Sequence, residues 1–233
     1  MTIDRETPRR RGALRQALLS SVVFLVLLMM MLFLPAGIRW RNGWIFLGVF
    51  LALSLVASIY LWRANPDIFV ARGQIHRGTK SWDKPLLALI LTSFFAMFLV
   101  AAFDARFGWS SVPRWLIIAG YTLLTVGFAL STWVYAVNRF AEPSVRIQSD
   151  RGQRVIDKGP YAIVRHPLYA FSTFLVFGIA LALGSYWALI PVAVGMAVLI
   201  FRTTLEDRML HKELEGYSDY AARVRWRLIP GIW

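Results

Sequence analysis

The sequence LYAFSTFLVFGIALALGSYWALIPVAVGMAVLIF, residues 168–201, contains no charged side chain. A bilayer core about 30 Å thick is crossed by roughly 20 apolar residues in an α-helix, so this stretch is too long for one crossing. Gly184 and Ser185 interrupt it near its middle. Only helices and closed barrels satisfy every backbone N–H and C=O group in lipid. The stretch therefore predicts two membrane helices joined by a tight turn.

Four further apolar stretches lie upstream, again without charges, at 17–34, 44–62, 85–103 and 115–137. We expect the first to be a retained span rather than a signal peptide, because no small-residue cleavage site follows it. The chain is 58% hydrophobic and 17% charged, against about 45–50% and about 25% in soluble domains. The sequence predicts an all-α integral membrane protein with six membrane helices, or five if the last pair does not fully cross.

Lysine and arginine are distributed unevenly over the connections between these stretches. Of the 26 cations, 22 lie before residue 17, within 63–84, within 138–167 or after residue 201. Cytoplasmic loops of membrane proteins carry the excess of positive charge. Both termini and segment 138–167 are therefore predicted to be cytoplasmic. The strong preference for arginine over lysine favours a bacterial inner membrane.

Composition and missing motifs exclude several classes of function. A chain with no cysteine has no disulfide, no cysteine zinc site and no thiol nucleophile. Its three histidines are too scattered for metal-ligand spacing. The motifs of serine hydrolases, P-loop proteins and Rossmann proteins are absent. The net charge of +13 follows membrane topology instead of one basic face, so we expect neither a metal nor a nucleic acid as a partner.

Two polar segments distinguish the C-terminal half, one at 138–167 and one that begins at residue 202. A bundle that served only as an anchor would need neither. Because the hairpin 168–201 returns the chain to the side that it left, its two ends are expected to be neighbours. We therefore divide the chain into an N-terminal four-helix membrane region, 1–137, and a C-terminal region, 138–233, which includes the hairpin and in which a cytosolic functional site is expected.

Ionisable residues at the two ends of the hairpin are the candidates for chemistry. Arg202 and Glu206 are four residues apart and share one face of a helix, with Arg202 at the membrane boundary. His166 precedes Pro167 at the start of a helix, where backbone N–H groups attract anions. The same stretch supplies Tyr161, Arg165 and Tyr169. We predict Arg202, Glu206 and His166 as catalytic residues.

The stretch Gly-Pro-Tyr-x-x-Val-Arg-His-Pro-x-Tyr at 159–169, followed after the hairpin by Glu206-Asp207, resembles the isoprenylcysteine carboxyl methyltransferase family. The wider group includes the phospholipid N-methyltransferases. The upstream stretch from residue 138 and the closing stretch 216–233 are also similar to bacterial members, so the resemblance covers roughly 138–233. The family pattern usually has Glu-Glu where this chain has Glu206-Asp207, which leaves the role of Asp207 open.

The resemblance implies an integral membrane enzyme that holds S-adenosylmethionine on the cytosolic side, with Arg202 toward the acceptor. It implies these cofactor-binding residues: Gln148, Gln153, Arg154, Val155, Ile156, Tyr161, His166, Pro167, Leu168, Tyr169 and Glu206. The chemistry of the donor agrees, because a carboxylate and tyrosine rings suit its cationic groups. Arg165 or the helix N–H groups suit its carboxylate.

The expected partners are membrane lipids and a lipophilic or lipid-anchored methyl acceptor, whose reacting group is a carboxylate or an amine. A carboxylate needs no base, whereas an amine needs His166 or Glu206 as one. Two other functions stay open at this point. One is a membrane NADPH-dependent sterol-type reductase with a similar C-terminal architecture, and the other is a non-catalytic scaffold of the same fold. The sequence gives no oligomeric state.

Overall fold

The computed structural model describes residues 6–72 and 78–233 of the chain. Within these ranges there are helices and turns but no strand, which confirms the predicted all-α class. Two short 3₁₀ turns, Ser149–Arg151 and Gly159–Ala162, lie between the fifth and sixth helices. In chain order the helices are α1 (Glu6–Ala36), α2 (Arg41–Ala64), α3 (Asp67–Arg72), α4 (Asp83–Phe107), α5 (Arg114–Val137), α6 (Pro167–Ala182), α7 (Leu189–Glu213) and α8 (Tyr217–Arg223).

Five of the described helices are long and apolar enough to cross a membrane, namely α1, α2, α4, α5 and α7. Helix α6 has only 16 residues, which spans about 24 Å and falls short of a hydrocarbon core about 30 Å thick. The protein is therefore an integral membrane protein, and its helix lengths agree with the lower of the two predicted span counts.

The predicted hairpin is present as α6 and α7, joined by a turn at Gly184 and Ser185. Ser185 Oγ donates a hydrogen bond to Asp104 near the end of α4, and Arg202 in α7 pairs with Asp83 at the start of α4. Helices α4 and α7 thus pack antiparallel along their lengths. The turn of the hairpin lies at the end of the bundle opposite to the Asp83–Arg202 pair.

Helices α5 and α6 approach so closely that only glycine fits at their contact. A Cβ atom added at Gly178 would lie 2.4 Å from the backbone nitrogen of Leu124, and one at Gly120 would lie 2.5 Å from that of Ala182. Small residues at helix interfaces allow such backbone contact in membranes. This contact fixes the start of α6 beside the end of α5, where the candidate site lies.

The hydrophobic core draws on both halves of the chain. Phe46 and Phe98 from the N-terminal half are completely buried together with Ile179 from α6, and Val192 from α7 packs in the same cluster. The division at residue 137 remains a prediction, and residues 1–5 and 73–77 of the predicted N-terminal region lie outside the described residues. Helices α3 and α8 are too short for the hydropathy pattern to predict.

Candidate functional site

One cavity of about 840 Å³ opens at the end of the bundle where α5 ends and α6 begins. Its wall combines the segment after α5, the turn before α6, the last turns of α7 and helix α8. All cofactor-binding candidates except Pro167 line it, namely Gln148, Gln153, Arg154, Val155, Ile156, Tyr161, Arg165, His166, Leu168, Tyr169 and Glu206. The two ends of the hairpin are therefore neighbours, as predicted.

Pro167 is buried and occupies the first position of α6, with His166 as the preceding cap residue. Proline suits this position because its missing N–H would have no partner inside the helix. The N–H groups of Arg165 and His166 donate to the carbonyl oxygens of Trp226 and Arg227, both at 2.9 Å. Pro167 therefore shapes the start of α6 without lining the cavity, and the C-terminal tail braces the stretch that precedes it.

Tyr161 is held at both its hydroxyl and its backbone. Asn138 Nδ2 donates to the Tyr161 hydroxyl at 2.6 Å, and the Tyr220 hydroxyl donates to the Tyr161 carbonyl oxygen at 2.7 Å. Burial raises the pKa of Tyr161 above its usual value. The phenol therefore stays protonated and presents a neutral ring and an O–H donor to the cavity.

Glu206 and Arg202 meet at the hydroxyl of Tyr169, which confirms that they share one face of α7. The Tyr169 hydroxyl donates to Glu206 Oε2 at 2.6 Å, and Arg202 Nη1 donates to the Tyr169 oxygen at 3.0 Å. Glu206 lines the cavity, and no described residue bonds its Oε1 atom. This leaves one carboxylate oxygen available to a cationic ligand.

Arg202 itself is absent from the cavity wall within the described residues. Its side chain is 5% exposed and turns toward α4. There Nε donates to Asp83 Oδ1 at 2.7 Å and Nη2 donates to Asp83 Oδ2 at 3.1 Å. A further bond joins Nη2 to the Pro143 carbonyl oxygen at 2.8 Å. The predicted contact of Arg202 with an acceptor remains a prediction, and its observed partners are protein groups.

Asp207, whose role the sequence left open, is a buried hub that joins α7 to the turn before α6 and to the C-terminal tail. Its Oδ1 atom accepts hydrogen bonds from Arg165 Nε at 2.8 Å and from the Tyr217 hydroxyl at 2.9 Å. The same atom lies 3.3 Å from His166 Nε2. Its Oδ2 atom accepts from Arg165 Nη2 at 3.0 Å and from Arg227 Nε at 2.9 Å. The carboxylate thus fixes three parts of the cavity wall at once.

The side chain of Arg165 donates its hydrogen bonds to acceptors within the protein. Besides Asp207, it donates from Nη1 to the carbonyl oxygens of Val224 and Arg225, at 2.9 and 2.8 Å. Burial disfavours the charged guanidinium, but Asp207 outweighs this and holds the pKa of Arg165 above its usual value. Arg165 is therefore a permanent cation that anchors the tail, which leaves it poorly placed to receive a ligand carboxylate.

The His166 ring is oriented by its neighbours. It lies parallel to the Tyr169 ring, with the ring centroids 5.8 Å apart. With Nε2 next to Asp207, Nδ1 is the ring nitrogen that has no partner among the described residues. A histidine whose second nitrogen is fixed by a carboxylate has a defined tautomer, so His166 can accept a proton or a hydrogen bond through Nδ1.

Gln148 and Gln153 are joined to each other by a hydrogen bond. Gln153 Oε1 accepts from the Gln148 N–H at 2.7 Å, and Gln148 Nε2 donates to the Phe140 carbonyl oxygen at 2.7 Å. Arg151 Nη1 donates to Gln148 Oε1 at 2.7 Å. The polar groups of Gln148 therefore hold the loop in shape, and both residues line the cavity.

Several residues of the cavity wall were not predicted as site residues from the sequence. Glu142 lines the cavity with a side chain only 1% exposed, and it pairs with Arg146 at 2.8 Å. Tyr217 and Tyr220 come from α8, and burial with the nearby Asp207 carboxylate raises the pKa of Tyr217. Glu142 stands in a polar segment without periodicity, so no local pattern marks it. Across the described ranges no group of three or more His, Asp or Glu side chains could hold a metal ion.

The model of the phospholipid methyltransferase family matches residues 115–215, a segment that begins in α5 and ends just beyond α7. All of the predicted catalytic and cofactor-binding residues fall within it. No curated protein matches the chain.

Proposed function

We propose that this protein transfers the methyl group of S-adenosylmethionine to a lipid-like or membrane-embedded acceptor, a proposal supported by the match of its residues 115–215 to the phospholipid methyltransferase family. It is a membrane methyltransferase by its family and by its five apolar helices. When bound, S-adenosylmethionine would supply a methyl group on a sulfonium cation, next to an α-amine, an α-carboxylate and an adenine. The proposed site is the cavity at the start of α6.

The observation that carries the proposal is the Glu206 carboxylate on the cavity wall. One of its oxygens is fixed by the Tyr169 hydroxyl at 2.6 Å, while the other has no partner among the described residues. A fixed carboxylate with an open oxygen attracts a cationic group such as an amine or a sulfonium. The rings of Tyr169 and Tyr161, on the same wall, offer their faces to a cation.

The remaining parts of the donor also have suitable neighbours. The donors of Arg165 are committed to Asp207 and the tail, and the N–H groups of Tyr169 and Ala170 donate to the His166 carbonyl oxygen. The α-carboxylate is therefore expected to bind the Leu168 N–H at the start of α6 and Arg154, which is exposed at the cavity. Val155, Ile156 and Leu210 supply apolar surface for a flat base. Methyl transfer needs alignment of acceptor, methyl group and sulfur more than acid–base chemistry, so binding and orientation are the main tasks of this wall.

The acceptor group decides whether a base is required. A carboxylate is already ionised at neutral pH, whereas an amine must lose a proton. Glu206 through Oε1 and His166 through Nδ1 are the two groups on the cavity wall suited to accept it. We propose that a soluble donor enters from the cytoplasm, with both termini on that side, and that the acceptor reaches the site from the bilayer.

Isothermal titration of the detergent-purified full chain with S-adenosylhomocysteine tests the donor, with NADPH titrated in parallel. We expect saturable binding of S-adenosylhomocysteine and none of NADPH. Folded protein that binds NADPH instead would replace the proposal with a reductase, and folded protein that binds neither would favour a scaffold. Labelled methyl groups from S-adenosylmethionine then identify the acceptor, because alkali releases them from esters but not from methylated amines.

The variant Glu206→Gln tests the role of the carboxylate. Loss of a charge-assisted contact of about 1.5–3 kcal/mol corresponds to roughly 10–150-fold weaker binding of S-adenosylhomocysteine. Glu215→Gln is the matched control, because Glu215 is exposed just beyond α7 and absent from the cavity wall. The control should bind as the natural chain does. An unchanged affinity in Glu206→Gln would remove Glu206 from the donor site.

A further inference from the structure

Asp83 stands at the first position of α4, in the half of the chain that the family match does not cover. Its carboxylate is 0% exposed, and it connects three elements. It receives two bonds from Arg202 on α7, and its Oδ2 atom also accepts from the Val145 N–H at 2.7 Å. Val145 lines the cavity. Asp83 therefore touches the outside of the cavity wall from the N-terminal half.

A continuous chain of hydrogen bonds leads from this carboxylate to the cavity. Arg202 binds Asp83 on one side and donates to the Tyr169 hydroxyl at 3.0 Å on the other. The Tyr169 hydroxyl then donates to Glu206 Oε2 at 2.6 Å. Because Arg202 supplies a donor to the Tyr169 oxygen, the only hydrogen of that hydroxyl is directed to Glu206. Each member of the chain thus fixes the orientation of the next.

The charges along this chain explain why Asp83 is needed. Asp83 holds Arg202 with two bonds, at 2.7 and 3.1 Å, and so balances its charge on the side away from the cavity. Without the Asp83 charge, the buried guanidinium would have Glu206 as its nearest uncommitted carboxylate, four residues away on the same helix face. Glu206 would then pair with Arg202 instead of presenting Oε1 to a ligand.

We propose that Asp83 is a positioning residue for Glu206: it retains Arg202 on α4, so that Tyr169 holds the Glu206 carboxylate open toward the methyl-donor cavity. The inference rests on the proposed function, in which Glu206 contacts the donor. In this proposal the N-terminal half sets the affinity of a site to which none of its described residues contributes a wall position.

The test compares Asp83→Asn with Asp104→Asn by titration with S-adenosylhomocysteine. Both carboxylates are almost completely buried at opposite ends of α4, and Asp104 is bonded only by Ser110 and Ser185 among the described residues. Both variants should lower the melting temperature. Only Asp83→Asn should weaken binding, by roughly ten-fold or more, which is the effect of losing one charge-assisted contact. Asp83→Glu, which keeps the charge, should restore most of the affinity.

The double variant Asp83→Asn/Glu206→Gln separates positioning from general destabilisation. If Asp83 acts through Glu206, the double variant binds no more weakly than Glu206→Gln alone, whereas independent effects would multiply. If Asp83→Asn does not fold, the neutral pair Asp83→Asn/Arg202→Gln replaces it and is compared with Arg202→Gln alone. Because no guanidinium then competes for Glu206, removing Asp83 should weaken binding no further.

The results distinguish the two proposals. A natural chain that fails to bind S-adenosylhomocysteine overturns the proposed function. Binding that depends on Glu206 but stays at the natural affinity in Asp83→Asn overturns the positioning role alone, as does a neutral pair that binds more weakly than Arg202→Gln. Equal weakening in Asp83→Asn and Asp104→Asn would also overturn it, since any buried carboxylate of α4 would then have the same effect.

Discussion

Replacing Asp207 with asparagine removes one negative charge from the hub that joins α7, the turn before α6 and the C-terminal tail. The amide oxygen can still accept from the Tyr217 hydroxyl. The amide NH₂ group, however, would face the Arg165 Nη2 and Arg227 Nε donors, which now lie at 3.0 and 2.9 Å from Oδ2. The substitution thus converts two charge-assisted hydrogen bonds into two donor–donor contacts and leaves two cations without their shared anion.

The loss of stability expected for Asp207→Asn depends on how deeply the charged groups around Asp207 are buried. Removing one partner of a buried ion pair destabilises by about 3–5 kcal/mol. The lower end applies here, because the Arg227 side chain is 29% exposed and Arg165 keeps the carbonyl oxygens of Val224 and Arg225. A loss of about 3 kcal/mol corresponds to a melting temperature lower by roughly 6–12 °C in a chain of this size.

Thermal melting in detergent, followed by tryptophan fluorescence, measures this loss. Asp219→Asn is the matched control, because Asp219 is exposed on α8, and surface substitutions usually change stability by less than about 0.5 kcal/mol. We also expect weaker binding of S-adenosylhomocysteine, since Arg165 on the cavity wall and Arg227 in the tail lose their shared anion. A melting temperature within about 2 °C of the natural chain would refute the assignment of Asp207 as the hub.

Two further predictions concern the helix contact and the membrane topology. Gly178→Ala should destabilise the protein in thermal melting by about 1–3 kcal/mol, because its Cβ would lie 2.4 Å from the Leu124 backbone nitrogen. Gly48→Ala, with nothing within 4 Å, should leave the melting temperature unchanged or raised, and equal effects would contradict the close contact. A single cysteine at Ser218, in a chain without cysteine, should react with an impermeant thiol reagent only in broken cells, whereas one at Ser111 should react in intact cells. The reverse labelling would invert the proposed orientation.

The sequence predicts the spans and the meeting of the hairpin ends because both depend on local patterns. Uncharged runs define the membrane helices, and Gly184-Ser185 marks the turn between α6 and α7. Spacing places Arg202 and Glu206 on one face, as the shared Tyr169 hydroxyl confirms. The resemblance adds the cofactor candidates, and all of them except Pro167 line one cavity.

The remaining features depend on partners that are distant in the sequence. Asp83 and Arg202 are separated by 119 positions, and nothing near Asp83 marks it as the partner of an arginine at the end of a span. Asp207 follows Glu206 directly, yet the four residues that bond to its carboxylate come from stretches on either side of the hairpin. Arg165 bonds to backbone carbonyl oxygens of the tail. Every residue has such an oxygen, so no pattern of side chains in the sequence predicts these bonds.

The pairing of the C-terminal tail with the turn before α6 also orders events during synthesis. Arg165 and His166 donate their backbone N–H groups to Trp226 and Arg227, which are translated about sixty residues later. The stretch before α6 is therefore synthesised well before the two carbonyl oxygens that brace it. While the hairpin is being made, the N–H groups of Arg165 and His166 have no partner in the tail. The cavity wall is thus completed only after residues 226 and 227 exist and the tail has folded back onto the start of α6.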